Sequence, residues 1–397
     1  MTLHESSRFD AVVAFTRSIY GANFIPLHRP VFEGNEKQYL ADCIDSNFVS
    51  SVGTMVTEFE QQVAAFTGAR FAIATVNGTA ALHAALLLVG VQRDDEVISQ
   101  ALTFIATCNA VSYAGAHPVF VDVDRDTMGL SPAALNRFLL AHAEKRDGEA
   151  WNKRTGRRIA ACVPMHTFGL PLRIAEIAAI CAEWGIALVE DAAESLGSWV
   201  GERHTGTFGQ MATLSFNGNK VITTGGGGMI ITNDEALAKR AKHLTTTAKV
   251  PHPFEFVHDE VGYNYRLPNL NAALGCAQME RLPEFLEVKA SLAERYERFF
   301  DGIGMTFVRG IAGTTANHWL NAIVLDSLAE RDAFLAHTNG QGVMTRPIWR
   351  LMTHLTMFQH CQHDGLENSL WLEQRVVNLP SSVPDGALPT FASGATA

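Results

Sequence analysis

The sequence predicts an α/β protein, a mostly parallel sheet wrapped by helices and followed by a second, smaller α/β domain. Three observations carry this. Short apolar strands alternate with helix-patterned segments from residue 71 to residue 189, a rhythm that places crossover helices over a parallel sheet. Residues 186–189 are continuously apolar, as in a strand covered on both faces. The rhythm changes after about residue 270, and the 397-residue length suits two domains in one unit.

In chain order, residues 9–19 read as a short amphipathic helix and 71–76 as an apolar strand. Asn77-Gly78-Thr79 turns into a helix over 80–89, closed by Gly90. Residues 96–99, 118–123 and 159–164 are further strands, and the polar stretch 147–158 reads as a loop insertion. Ile174, Ile177, Ala178 and Cys181 mark one face of a helix that Gly185 ends, just before the strand at 186–189. Loops at the carboxyl ends of such strands are where ligands collect. A helix over 270–298 leads to strands near 305–308 and 319–325, and residues 386–397 read as a frayed tail. The expected organisation is a helical extension over 1–23, a large domain over 24–270 and a small domain over 271–397.

Composition narrows the function. Hydrophobic residues make up 47% and charged residues 18%, with a net charge of -10. A nucleic-acid binder needs a basic face. The densest basic patch, Lys153, Arg154, Arg157 and Arg158, reads as a solvated loop. No run reaches the apolar length of a membrane span, 82–91 being the nearest, and no leader pattern stands at the start. The six cysteines have no CxxC spacing and read as reduced core residues. HCQH at 360–363 lacks a second ligand pair, so no metal is expected. A cytoplasmic protein is the resulting expectation.

One stretch carries most of the chemistry. In LSFNGNKVITTGGGGMI, Lys220 stands just upstream of the glycines at 225–228. A triphosphate loop needs GxxxxGK[ST], and here the glycines follow the lysine. The alternative is a lysine whose amine does covalent chemistry, for which pyridoxal 5′-phosphate is the usual partner. That cofactor needs N–H groups for its phosphate, a carboxylate for its pyridine nitrogen and a flat neighbour for its ring. Gly78 and Thr79 at the strand-to-helix turn suit the phosphate, although an ordinary Asn-Gly cap would look the same. Asp191, in VEDAAES, suits the ring nitrogen, although it would also serve as a helix N-cap. Phe104 suits the ring face, although a Phe in an apolar run is usually core. Ser215 adds a hydroxyl for the phosphate, and the glycines fit a hairpin turn beside the lysine.

The order of these pieces resembles the pyridoxal-phosphate-dependent sugar aminotransferases of the DegT/StrS type. NGTAALHAAL at 77–86, LTFIATCNAV at 102–111, VEDAAESLGS at 189–198, SFNGNKVITTGGGG at 215–228 and GYNYRLPNLNAALG at 262–275 carry the resemblance. It extends from about residue 24 to about 380. It implies the aspartate aminotransferase-like fold of type I. Lys220 is then the Schiff-base lysine and proton shuttle, Asp191 the partner of the pyridinium, and Gly78, Thr79 and Ser215 the phosphate ligands. Phe104 stacks on the ring. Glu194 stands near the ring where many members have Gln. Asn264 reaches the cofactor phosphate of the neighbouring subunit, which makes a homodimer the active unit. His166 is an expected substrate contact, although a satisfied structural His would look the same, and Arg346 is expected at a diphosphate, although a surface Arg would look the same.

The resemblance also implies L-glutamate as donor and a nucleotide-linked keto sugar as acceptor. It is closest to the LegC-like branch, which aminates carbon 4 of UDP-2-acetamido-2,6-dideoxy-hexos-4-ulose for legionaminic acid and bacillosamine-type glycans. GDP-perosamine synthases are close relatives of that branch. A dehydratase on this scaffold replaces the lysine, commonly by His, whereas position 220 is Lys. A non-catalytic regulator would lack the lysine or its acidic partner, whereas Lys220 and Asp191 are both present.

Overall fold

The computed structural model describes residues 3–389. Seven strands form the main sheet: β1 Phe71–Thr75, β2 Glu96–Gln100, β3 His117–Val121, β4 Ile159–Val163, β5 Ala187–Asp191, β6 Met211–Ser215 and β7 Gly228–Thr232. Their spatial order is β1-β7-β6-β5-β4-β2-β3. Neighbours from β6 through β3 run parallel, and β7 alone is antiparallel to both its neighbours, β1 and β6. The mostly parallel sheet is as expected.

Strand alternation explains why both faces are buried. On β2, Val97 joins a cluster with Ala81, Ala85 and Val111, while Ile98 joins one with Leu135, Phe138 and Ile177. The helices behind these clusters are Gly78–Leu88, Ile105–Tyr113, Pro132–His142 and Ile174–Trp184. The carboxyl ends of β1, β5 and β6 deliver Asn77, Asp191 and Ser215 to one side of the sheet.

A second sheet holds β8 Thr306–Phe307, β9 Asn321–Val324, β10 Arg346–Pro347 and β11 Val376–Leu379, in the antiparallel order β8-β9-β11-β10. The 34-residue helix Asn269–Gly302 runs into it from the large lobe. The first helix, Leu3–Tyr20, packs on this sheet's core: Phe9 is fully buried and meets Phe334 edge-on at 5.2 Å. Burial of one such ring contributes about 2 kcal/mol.

Two expectations change. The stretch read as a loop insertion contains half of a hairpin, Ala143–Arg146 paired with Glu149–Asn152. Its turn is Asp147-Gly148, both at positive φ, the geometry that two-residue hairpins require. Arg158 is not a loosely solvated charge either, since it pairs with Asp95 at 2.7 Å and Glu149 at 2.8 Å. The frayed-tail expectation falls mainly on 390–397, outside the described residues.

Candidate active site

The site begins where β1 ends. Asn77 caps the next helix, its Oδ1 accepting from the Ala80 N–H at 2.8 Å. The early N–H groups of that helix have no intrahelical acceptor and gather positive potential. The chain from β7 passes very close. A Cβ on Gly228 would fall 2.4 Å from Asn77 C and O and 2.7 Å from Gly78 N. A Cβ on Gly78 would meet Ser215 Cβ at 3.1 Å. Glycine at these two positions therefore holds open a cradle formed by Gly78, Thr79 and Ser215, all lining one cavity of about 590 Å³.

The acidic run on β5 is sorted by alternation. Glu190 points away from the cavity and is fully buried. It accepts from the N–H groups of Gly206, Phe208 and Gly209 at 2.6–2.7 Å and faces His166 Nε2 at 3.1 Å. His166 Nδ1 accepts from the Leu172 N–H at 3.3 Å. With both ring nitrogens engaged and no exposed surface, His166 does not reach the cavity; its expected role as a substrate contact is corrected to a structural one.

Asp191 points the other way and lines the cavity. It accepts from Thr107 Oγ1 at 2.7 Å and from the Ala193 N–H at 3.2 Å, and no helix follows for it to cap. Burial raises its pKa, partly offset by the Thr107 hydrogen bond. A carboxylate 5% exposed with no cation on it is costly unless a cationic partner completes it.

Lys220 sits in the connection between β6 and β7. Its Nζ lies 3.2 Å from Glu194 Oε1 and 3.8 Å from the ring centroid of Trp319. Glu194 is 4% exposed and its other oxygen accepts from the Phe168 N–H at 2.9 Å. Burial raises the Glu194 pKa, and the Lys220 ammonium works against that rise. The Trp319 indole is fixed by Nε1–H donating to Asn219 O at 2.6 Å. The glycines do close a hairpin beside the lysine, with Gly225 at φ +79 and β7 starting at Gly228.

The opposite wall comes from the small lobe. Arg346, Trp349, Arg350 and Asn378 line the same cavity, with Phe104 at its rim. Trp349 packs against Phe168 at 5.0 Å and Phe104 at 6.3 Å. Asn264 is exposed, outside the cavity lining, and accepts from Arg266 Nε at 3.2 Å. One fold unit thus brings together Lys220, Asp191, Glu194, Gly78, Thr79, Ser215, Phe104 and Arg346, but neither His166 nor Asn264. Thr107, Trp319 and Asn378 went unread in the sequence. Thr107 follows Phe104 by about one helical turn and was the most findable; the other two come from distant parts of the chain, Trp319 from the bend before Asn321–Val324 and Asn378 from the strand Val376–Leu379.

These residues fit pyridoxal 5′-phosphate: a helix N-terminus held open by glycine, a buried carboxylate without a cation, and an amine in one cavity. Fold and site together define a pyridoxal-phosphate-dependent transaminase. The chain belongs to the DegT/DnrJ/EryC1/StrS aminotransferase family, whose model matches residues 30–384. It is 34% identical to the GDP-perosamine synthase of Vibrio cholerae over 362 residues, 90% of this chain and 94% of the relative. It is 32% identical to that of Escherichia coli O157:H7, covering 90% and 93%. Among solved structures, it is similar to the aminotransferase TlmJ from Streptoalloteichus hindustanus (TM-score 0.82, 26% identity, 90% and 94% covered). It is also similar to DesI solved with its TDP-sugar product (TM-score 0.79, 27% identity, 93% and 91% covered). The chain is a sugar aminotransferase.

Proposed function

We propose that this enzyme moves an amino group from L-glutamate to the 4-keto carbon of a nucleotide-linked 6-deoxy sugar. The first candidate acceptor is UDP-2-acetamido-2,6-dideoxy-hexos-4-ulose; a GDP-linked 4-keto-6-deoxy sugar is the second, favoured by the perosamine synthase relatives. The observation that carries the reading is the cavity's two unlike walls. One holds Lys220 and Asp191; the other offers the guanidinium groups of Arg346 and Arg350, neither paired with an acid among the described residues. Such a pair suits the oxygens of a diphosphate.

When bound, pyridoxal phosphate supplies the carbonyl that exchanges amines and the ring that takes up the electron pair. The chain's residues do the rest. Gly78, Thr79 and Ser215 would hold the phosphate, Asp191 would keep the ring nitrogen protonated and Phe104 would stand against the ring. Lys220 Nζ would take the substrate's α-proton, hold it as an ammonium facing Glu194 and Trp319, and give it back in the transfer. With the keto sugar in place of the donor the order reverses, so the kinetics are ping-pong.

A homodimer is part of this reading. The segment before Asn264 carries Phe254, Phe256 and Val261 at 92%, 82% and 82% exposure, apolar surface that suits coverage by a second copy and would let Asn264 serve the partner's site. The six cysteines are all unbonded thiols, which suits a reducing cytoplasm. The test is to follow the cofactor's visible absorbance in two steps. L-glutamate should convert it to the amine form, and one of the two keto sugars should restore it. Conversion without restoration by any nucleotide-linked keto sugar contradicts the proposed acceptor.

A further inference from the structure

Nine side-chain polar atoms among the described residues are buried without a hydrogen-bond partner. Asn378 Nδ2 is the one that belongs to a residue lining the Lys220 cavity. Its position follows from strand alternation. Val377 and Leu379 on either side point into the small lobe's core with Tyr296, Phe300 and Phe334. Asn378 therefore faces the other way, toward the cavity. The residue is 3% exposed, and its register partner on the adjacent strand is Arg346.

A carboxamide in mid-strand, buried and unpaired, has no structural reason to be there. Leaving such a group unsatisfied in the interior is unfavourable. A hydrophobic residue of the same volume would serve the sheet better. The cost is recovered only when a ligand satisfies the amide. A neutral carboxamide both donates and accepts, so it matches a neutral substituent that does the same. It is poorly suited to a carboxylate or phosphate, for which Arg346 beside it is the better group.

We infer that Asn378 is a specificity residue that hydrogen-bonds a neutral ring substituent, a hydroxyl or an acetamido group, of the acceptor sugar, with Arg346 next to it on the charged part of the same molecule. This rests on the nucleotide-sugar reading above. It assigns the amide to the sugar half-reaction and not to the amino-acid half-reaction.

The two halves separate in one experiment. Asn378→Ala and Asn378→Leu holoenzymes are reacted first with L-glutamate, then with a UDP-linked 2-acetamido 4-keto-6-deoxy sugar or a GDP-linked 4-keto-6-deoxy sugar bearing hydroxyls. Cofactor absorbance reports each rate. The sugar rate should fall about tenfold to hundredfold relative to the glutamate rate, as expected for one lost hydrogen bond in a buried site. Calorimetric affinity for the aminated nucleotide-sugar product should weaken by a similar factor. An unchanged ratio of the two rates, or an equal fall in both, overturns the inference while the acceptor reading stands. A wild type that accepts neither sugar overturns both.

Discussion

Lys220 Nζ and Glu194 Oε1 are 3.2 Å apart, their side chains 13% and 3% exposed, so the amine carries its own counter-charge. Many related sites are expected to have a neutral Gln here. Glu194 keeps its second oxygen on the Phe168 N–H, so Glu194→Gln preserves shape and removes charge. In Glu194→Gln the amine loses its charge partner while the Phe168 N–H keeps an acceptor, so turnover should fall about tenfold with little change in stability. Steady-state rates and urea melts of both proteins check this; unchanged turnover means the pair is only structural.

Asp191 is buried without a cation, and its pKa is raised by that burial. A raised carboxyl contributes stability below ordinary carboxylate pH and loses it as pH rises through its folded value. The cofactor-free protein is therefore penalised at neutral pH for keeping this group ionised. Asp191→Asn should raise the melting temperature of the cofactor-free protein at pH 7 by roughly 1–3 °C, with a smaller gain toward pH 5. The same change should cut turnover by about a thousandfold or more, because the ring nitrogen loses its partner. Calorimetric melting at two pH values, alongside steady-state rates, tests both halves.

Lys289 is the one fully buried lysine among the described residues, and burial lowers its pKa to about 7. Its Nζ is held by Ser381 O at 2.6 Å, Trp319 O at 3.2 Å and His28 Nε2 at 3.2 Å. A lysine depressed in the folded state contributes stability at high pH and loses it as pH falls toward the folded value. Relative to Lys289→Met, the wild type should therefore gain stability as pH rises from 7 to 10. Paired denaturant melts across that range give the slope; a flat difference contradicts the buried titration.

Gly228 leaves no room for a side chain: a Cβ would stand 2.4 Å from the Asn77 carbonyl. Gly228→Ala should push β7 away from the helix N-terminus and open the phosphate cradle. Cofactor affinity should fall about tenfold or more, with a loss of about 1–3 kcal/mol in stability. Fluorescence titration of the cofactor-free protein with pyridoxal phosphate measures the first, and urea unfolding the second.

How much of this was readable beforehand depends on where each residue's partners lie in the chain. The parallel sheet was legible because its strands and helices alternate locally. Asp191 and Gly78 were legible because a carboxyl end of a strand is a ligand position whatever the rest of the chain does. The Ala143–Asn152 hairpin was hidden by its polar composition, although Asp147-Gly148 was a turn signal in plain view. His166 was misplaced because sequence does not show that Glu190, and not the cavity, receives its ring. Trp319 and Asn378 are about a hundred residues or more from Lys220, and only the folded small lobe brings them to it.

The proposed chemistry depends most directly on the amine of Lys220. Reduction of the holoenzyme with borohydride, followed by peptide mass mapping, fixes the cofactor to whichever lysine holds it. A single pyridoxyl label on Lys220 is expected, lost when the enzyme is first incubated with L-glutamate. A label on another residue, such as the buried Lys289, or no label at all, would contradict it.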